Sequence, residues 1–193
     1  QCLKNELTGL EFAAGVPATV GGAVWSNLGA RGSQMKDVVA EVSVLDEDGK
    51  AQTLTNADCQ FDYRESIFKH KKYIILDALF QLQKGDKDEI KQKVQELSEL
   101  RQQTQDLAAK SAGCVFRNPT DQTEEPAAKL IDDLDLKGKQ IGGAQISEKH
   151  ANFIVNTGNA TADDVVQLIS FIKQQVRDKK GVQLMEEIEY IGF

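Results

Sequence analysis

The stretch SAGCVFRNP, residues 111–119, delivers one thiol, Cys114, behind three small residues and follows it with Arg117, Asn118 and Pro119. A thiol titrates near pH ~8.5, so it gives up a proton close to neutrality far more readily than a serine hydroxyl. Cys114 could be a proton donor, a nucleophile or a packed filler, since free cysteine is among the most buried residue types. His150 and Asn152, in EKHANFIVN, would complete a thiol-hydrolase set if they met Cys114 in space. Spacing along the chain leaves that open, and a lone His leading into a strand is usually structural.

Other residues carry charge that chemistry could use. Glu186 and Glu187 lie together in LMEEIEY, where side chains of an extended segment alternate between faces. One of them would point inward, where burial raises a carboxyl pKa and makes it an acid; an edge strand with solvated charges reads equally well. Arg64 in YRESIF offers a planar fork for a carboxylate, or a surface ion pair. GVPATVGG, residues 15–22, could bring backbone N–H groups close to an anion, or form a tight structural loop. It is neither a Walker A loop nor a G-x-G-x-x-G fingerprint.

The elements that position these residues follow from periodicity. Gly9, Gly15, Gly21, Gly22, Gly29 and Gly32 punctuate residues 9–32, which read as loops and short helical turns. Val38, Ala40, Val42 and Val44 alternate, and Asp48-Gly49 signals a hairpin turn. Residues 73–83 read as a strand. Ile90, Val94, Leu97, Leu100 and Leu107, with Thr104 in step, space a helix over residues 87–109. A short helix is expected near Ala127–Asp135 and a strand at NFIVN. Thr161, with Asp164 three residues on, opens a helix whose buried stripe is Val165, Ile169, Ile172 and Val176. Gly181 ends it, and VQLMEEIEYIGF reads as a final strand. The order is mixed α+β in two parts that meet near residue 85.

Composition bounds the function. The 193 residues suffice for one large or two small domains and carry a net charge of −7. That balance argues against a nucleic-acid partner, because phosphate binding needs a basic face. No apolar run is long enough for a membrane span. Cys2, Cys59 and Cys114 are odd in number and form no C-x-x-C pair. They argue against a disulfide framework or zinc site and for a reducing cytoplasm. The first residues, QCLKNELTGLEF, contain no basic region followed by an apolar run, so no secretory signal is expected there. The missing initiator Met suggests a processed chain or a fragment.

Taken in order, GLEFAAGVPATVGGAVWSNLGARG, YRESIF, SAGCVFRNP, IGGAQISEKHANFIVN and LMEEIEYIG resemble the UDP-N-acetylenolpyruvoylglucosamine reductases, also called MurB, in their shorter subtype. The resemblance runs from Gly9 to Gly192. It implies an α+β chain: the C-terminal half of a PCMH/VAO-type FAD-binding domain at residues 1–84, then a MurB-type C-terminal α/β substrate-binding domain at 85–193. It implies reduction of UDP-N-acetylglucosamine enolpyruvate to UDP-N-acetylmuramate for cytoplasmic peptidoglycan synthesis, with FAD and NADPH as cofactors. Residues Gly15, Val16, Pro17, Ala18, Thr19, Gly21 and Gly22 match the family loop that lines FAD. Arg64 matches the arginine that steadies the substrate carboxylate, with Tyr63 beside it. Arg117 and Asn118 match a pair that contacts the nucleotide-sugar, and Gln145 stands in the substrate-binding set. Glu187 matches a glutamate thought to assist as an acid.

Position 114 matches the family's proton donor, where serine is usual and this chain has cysteine. The change is chemically mild, and it turns the open reading of Cys114 toward proton donation. Family members also carry a further FAD-binding region ahead of the point that matches Gln1, so this chain is expected to need that portion for full flavin binding. The competing readings are another FAD oxidoreductase of the same fold, a thiol hydrolase built on Cys114, and a nucleotide-sugar binder without catalysis.

Overall fold

The computed structural model describes residues 1–192, which fold as two compact units, Gln1–Arg101 and a second from Gln102 onward. The division falls inside the long helix, later than the boundary expected at 84/85, and assigns most of that helix to the first unit. No helix among the described residues is long and apolar enough to cross a membrane.

In the first unit, β1 (Leu7–Thr8) precedes a short helix α1 (Val20–Trp25) and a small hairpin, β2 (Gly29–Ala30) with β3 (Ser33–Gln34). Three antiparallel strands follow in the order β5-β4-β6: β4 (Val39–Leu45), β5 (Ala51–Thr55) and β6 (Ile74–Phe80). Gly49 takes φ +75° in the β4–β5 turn, closed by Gly49 N–H donating to Asp46 O. The alternation in β4 buries Val42 and Val44 against Phe12, Val24, Cys59 and Phe68. The stretch expected as one strand to residue 83 breaks after Phe80; β7 (Gln83–Lys84) pairs instead with β1. Helix α2 (Lys87–Thr104) then begins, and it ends five residues before the expected limit.

The second unit has a four-stranded antiparallel sheet in the order β8-β11-β10-β9. The strands are β8 (Lys110–Cys114), β9 (Gln140–Ile141), β10 (Ala144–Ile146) and β11 (Phe153–Asn156). Helices α3 (Ala127–Asp132) and α4 (Ala162–Lys180) share its core. Thr161 Oγ1 accepts from Asp164 N and the Asp164 carboxylate accepts from Thr161 N, the capping box read from the sequence. Gly181 closes the helix at φ +71°. Leu168, Ile169, Ile172 and Val176 form the buried stripe, with Val165 partly buried beside it. Residues 182–192 are not a regular strand. One isolated bridge, Phe116 to Glu186, pairs them with the segment after β8, and Val182 and Leu184 are buried in the same core.

Candidate active site

The candidate residues divide between the units. In the first, the loop after Ala13 folds back on itself: Val16 N–H donates to Ala13 O at 3.1 Å and Ala18 N–H to Val16 O at 2.9 Å. Gly15 sits at φ +72°, and an added Cβ would lie 3.3 Å from Arg101 Cδ. Arg101 Nε donates to Ala14 O at 3.3 Å, so the end of α2 holds the loop from behind. Only the first half of GVPATVGG is loop. Thr19 Oγ1 accepts from Gly22 N at 3.1 Å and caps α1, which places Gly21 and Gly22 inside a helix. Next to them lies a cavity of about 150 Å³, lined by Leu10, Val16, Ala18, Thr19, Met35 and Phe80 among others. Its lining is mostly apolar, the character of a site for a flat, largely apolar ring.

Arg64 stands at the corner of a tight turn in which Asp62 and Glu65 exchange backbone bonds of 3.1 and 3.0 Å. Its φ of +56° is unusual for a side chain with a Cβ. The turn is held from below by Asn27, itself 1% exposed, whose Nδ2 donates to Asp62 O at 2.8 Å and whose Oδ1 accepts from Lys36 N at 2.9 Å. The Arg64 guanidinium lies 5.6 Å from the Tyr63 ring centroid. Its Nη1 would stand 3.3 Å from a Cβ at Gly29, so the absent side chain there leaves room for the cation. Asn27 and Arg101 had no marker in the sequence, because one loop amide and one helical cation look like any other.

In the second unit, Cys114 ends β8 opposite Phe153 of β11. Gly113 before it has φ +86° and nothing within 4 Å of a built Cβ, so the backbone conformation, not space, requires glycine. The chain continues through Val115 and Phe116, both buried in the core, to Arg117. Glu187 N–H donates to Val115 O at 2.7 Å and Arg117 N–H to Met185 O at 2.9 Å. Cys114 and Glu187 are therefore brought onto adjoining segments. Glu186 turns elsewhere: its carboxylate accepts from Lys173 Nζ of α4 at 2.9 and 3.1 Å. Asn118 Oδ1 accepts from Ala127 N at 3.1 Å, at the start of α3, and Gln145 Nε2 donates to Gly138 O at 3.1 Å.

Asn152 does not orient His150 with its side chain, as a thiol hydrolase would require. The Asn152 side chain is spent on the backbone of Phe116, and His150 packs its ring 4.5 Å from that of Phe153. His150 Nδ1 accepts from Asn152 N at 3.3 Å. Burial, with Lys137 nearby, pulls the His150 pKa below its ordinary 6.5. Gly142 and Gly143 of IGGAQ serve packing, since a Cβ on Gly143 would lie 2.6 Å from Ala160 Cα at the approach to α4.

Residues 102–191 match the family described as UDP-N-acetylenolpyruvoylglucosamine reductase, C-terminal domain, and residues 2–55 match one described as FAD binding domain. The UDP-N-acetylenolpyruvoylglucosamine reductase of Caldanaerobacter subterraneus subsp. tengcongensis is 50% identical over 190 residues, covering 98% of this chain and 62% of the relative. The protein of the same name from Shouchella clausii is 49% identical over 187 residues, covering 97% of this chain and 59% of the relative. The chain thus spans about three fifths of the length of these curated relatives. The crystal structure of UDP-N-acetylenolpyruvylglucosamine reductase (MurB) from Thermus caldophilus superimposes with a TM-score of 0.81 at 36% identity, covering 97% of this chain and 66% of that one. By its two domain matches, its relatives and its fold, the chain belongs to the UDP-N-acetylenolpyruvoylglucosamine reductase family.

Proposed function

We propose that the protein of which these residues form the described part reduces UDP-N-acetylglucosamine enolpyruvate to UDP-N-acetylmuramate, in the cytoplasm, for peptidoglycan synthesis. The first unit would belong to the flavin side and the second to the substrate side. Val16, Ala18 and Thr19 around the apolar cavity, with the glycines of their loop, would hold FAD. When bound, FAD reduced by NADPH supplies hydride to the vinyl carbon of the enolpyruvyl ether.

The residues of this chain handle charge and protons. Hydride addition leaves an electron pair on the carbon that bears the carboxylate. Arg64, preset at its turn, would pair with that carboxylate and spread the charge. The Cys114 thiol would give its proton to the carbon, forming the C–H bond while the S–H bond breaks, and the thiolate would recover a proton from solvent. No covalent adduct forms. Glu187 would assist as an acid beside the same carbon. Arg117, Asn118, Gln145 and Tyr63 would hold the nucleotide-sugar.

The observation that supports this reading most is the bond from Glu187 N to Val115 O, which joins the segment after the thiol to the segment of the acid. The test is turnover in the FAD-loaded holoenzyme, followed by NADPH oxidation with the enolpyruvyl sugar. Cys114→Ser should keep substantial turnover, whereas Cys114→Ala should stall after flavin reduction. Equal rates for wild type and Cys114→Ala would remove the proton-donor role. Absence of turnover in the wild type would leave another FAD oxidoreductase or a nucleotide-sugar binder.

A further inference from the structure

We infer that Asn152 is a positioning residue for the Cys114–Glu187 pair, its side-chain amide acting as a splint on the segment that joins them. The inference rests on the reaction proposed above.

Strand β8 pairs with β11 as far as Cys114 opposite Phe153, across a register shift between Phe153 and Val155. Past Cys114 the backbone ladder continues only once, with Val115 N–H donating to Asn152 O at 2.8 Å. At the next residue a side chain replaces the neighbouring strand. Asn152 Oδ1 accepts from Phe116 N at 2.9 Å, and Asn152 Nδ2 donates to Phe116 O at 2.8 Å. One residue therefore makes three bonds to two consecutive residues. The opposite edge of the same segment is held by Glu187 N to Val115 O and Arg117 N to Met185 O. Residues 115–117 are thus fixed between Asn152 on one side and residues 185–187 on the other.

The chemistry of the position requires an amide. At neutral pH, where carboxyl groups are ordinarily ionised and only accept, Asn and Gln present a donor and an acceptor side by side, in the pattern of a peptide group. Asn152 is 3% exposed and Phe116 1%, so water cannot substitute for a lost bond. A carboxylate at 152 would set a second acceptor against Phe116 O and bury a charge. A protonated carboxyl, by contrast, offers one donor and one acceptor and restores the pattern. Asn152 is buried and its amide is taken up by Phe116. It acts through the register of Cys114, two residues before Phe116, and of Glu187, bonded across Val115.

The experiment uses the FAD-loaded holoenzyme and separates two half-reactions by stopped flow. Flavin bleaching by NADPH alone reads the first, and flavin reoxidation by the enolpyruvyl sugar reads the second. Asn152→Asp should leave the first unchanged and slow the second by about 100-fold at neutral pH, the scale of a small misplacement of reacting groups. Its second half-reaction should recover as pH falls and the buried carboxyl protonates, and its solvent deuterium isotope effect at neutral pH should exceed that of the wild type. Asn152→Gln, with both groups on a longer arm, should show the same split without the pH recovery, and it carries the test if Asn152→Asp does not fold. Unchanged reoxidation in the folded variant, or equal loss in both half-reactions, would overturn the inference. A wild type that bleaches with NADPH but is not reoxidised by the sugar would instead overturn the proposed reaction.

Discussion

Lys173 Nζ of α4 lies 2.9 and 3.1 Å from the two carboxylate oxygens of Glu186, and so separates two adjacent glutamates into different roles. Glu186 is engaged by a helix that also carries the core stripe, while Glu187 follows it on the segment bonded to Val115. Glu186→Gln should keep most of the holoenzyme's turnover, since a partly exposed pair, 35% at Lys173 and 23% at Glu186, is worth about 1 kcal/mol. Glu187→Gln should lower turnover by about 100-fold, the range of a lost general acid. NADPH oxidation with saturating enolpyruvyl sugar distinguishes them, and the reverse ranking would assign the acid to Glu186.

Two glycines should respond differently to alanine. At Gly143 a Cβ would meet backbone atoms of Asn159 and Ala160, which cannot swing aside as a side chain would. Gly143→Ala should therefore cost about 3 kcal/mol through overpacking. Gly113 has open space around it, so Gly113→Ala meets only the strain of φ +86°, about 1–2 kcal/mol. Urea midpoints of the two variants check this, and a smaller loss at Gly143 than at Gly113 would contradict the packing around IGGAQ.

The three thiols should label unequally. Cys59 is fully buried, and burial, with Asp58 adding to it, pushes its pKa up to about 11. Cys2 and Cys114 are half-buried. In the native protein at about pH 8, a thiol-alkylating reagent should modify Cys114 while leaving Cys59 intact by peptide mass spectrometry, whereas unfolded protein should label at both. Native labelling of Cys59 as fast as Cys114 would show that its surroundings are open.

Stability should fall on the acid side of neutrality because of His150. Its folded pKa lies below the ordinary 6.5, burial being the main cause, so the unfolded chain takes up a proton first as pH falls. The stability it contributes is complete above 6.5 and is lost as pH drops below that value toward the folded one. His150→Gln should flatten the dependence of the urea midpoint on pH as pH falls through 6.5 and below. Parallel slopes for variant and wild type would assign the acid sensitivity to other groups.

What could be read in the chain was local. Thr161, Asp164, the apolar stripe and Gly181 define α4 by bonds and contacts within a few residues, and the helix forms where they place it. The β4–β5 hairpin is likewise declared by alternation and by Asp48-Gly49. The motif order from Gly9 to Gly192 identified the family, because several short segments of fixed type rarely recur together by chance. The loop GVPATVGG was legible as a close-approach segment, but the Thr19 cap that makes its second half helical depends on one side-chain rotamer. The end of the chain alternates like a strand, yet whether it pairs depends on partners near residue 116, and among the described residues it forms one bridge there. Tertiary structure alone decided which glutamate meets Lys173, that Asn27 supports the Arg64 turn, and that Asn152 serves Phe116 rather than His150. Those relationships join residues far apart in sequence, where no periodicity or neighbouring residue type constrains which polar groups will meet once water is excluded.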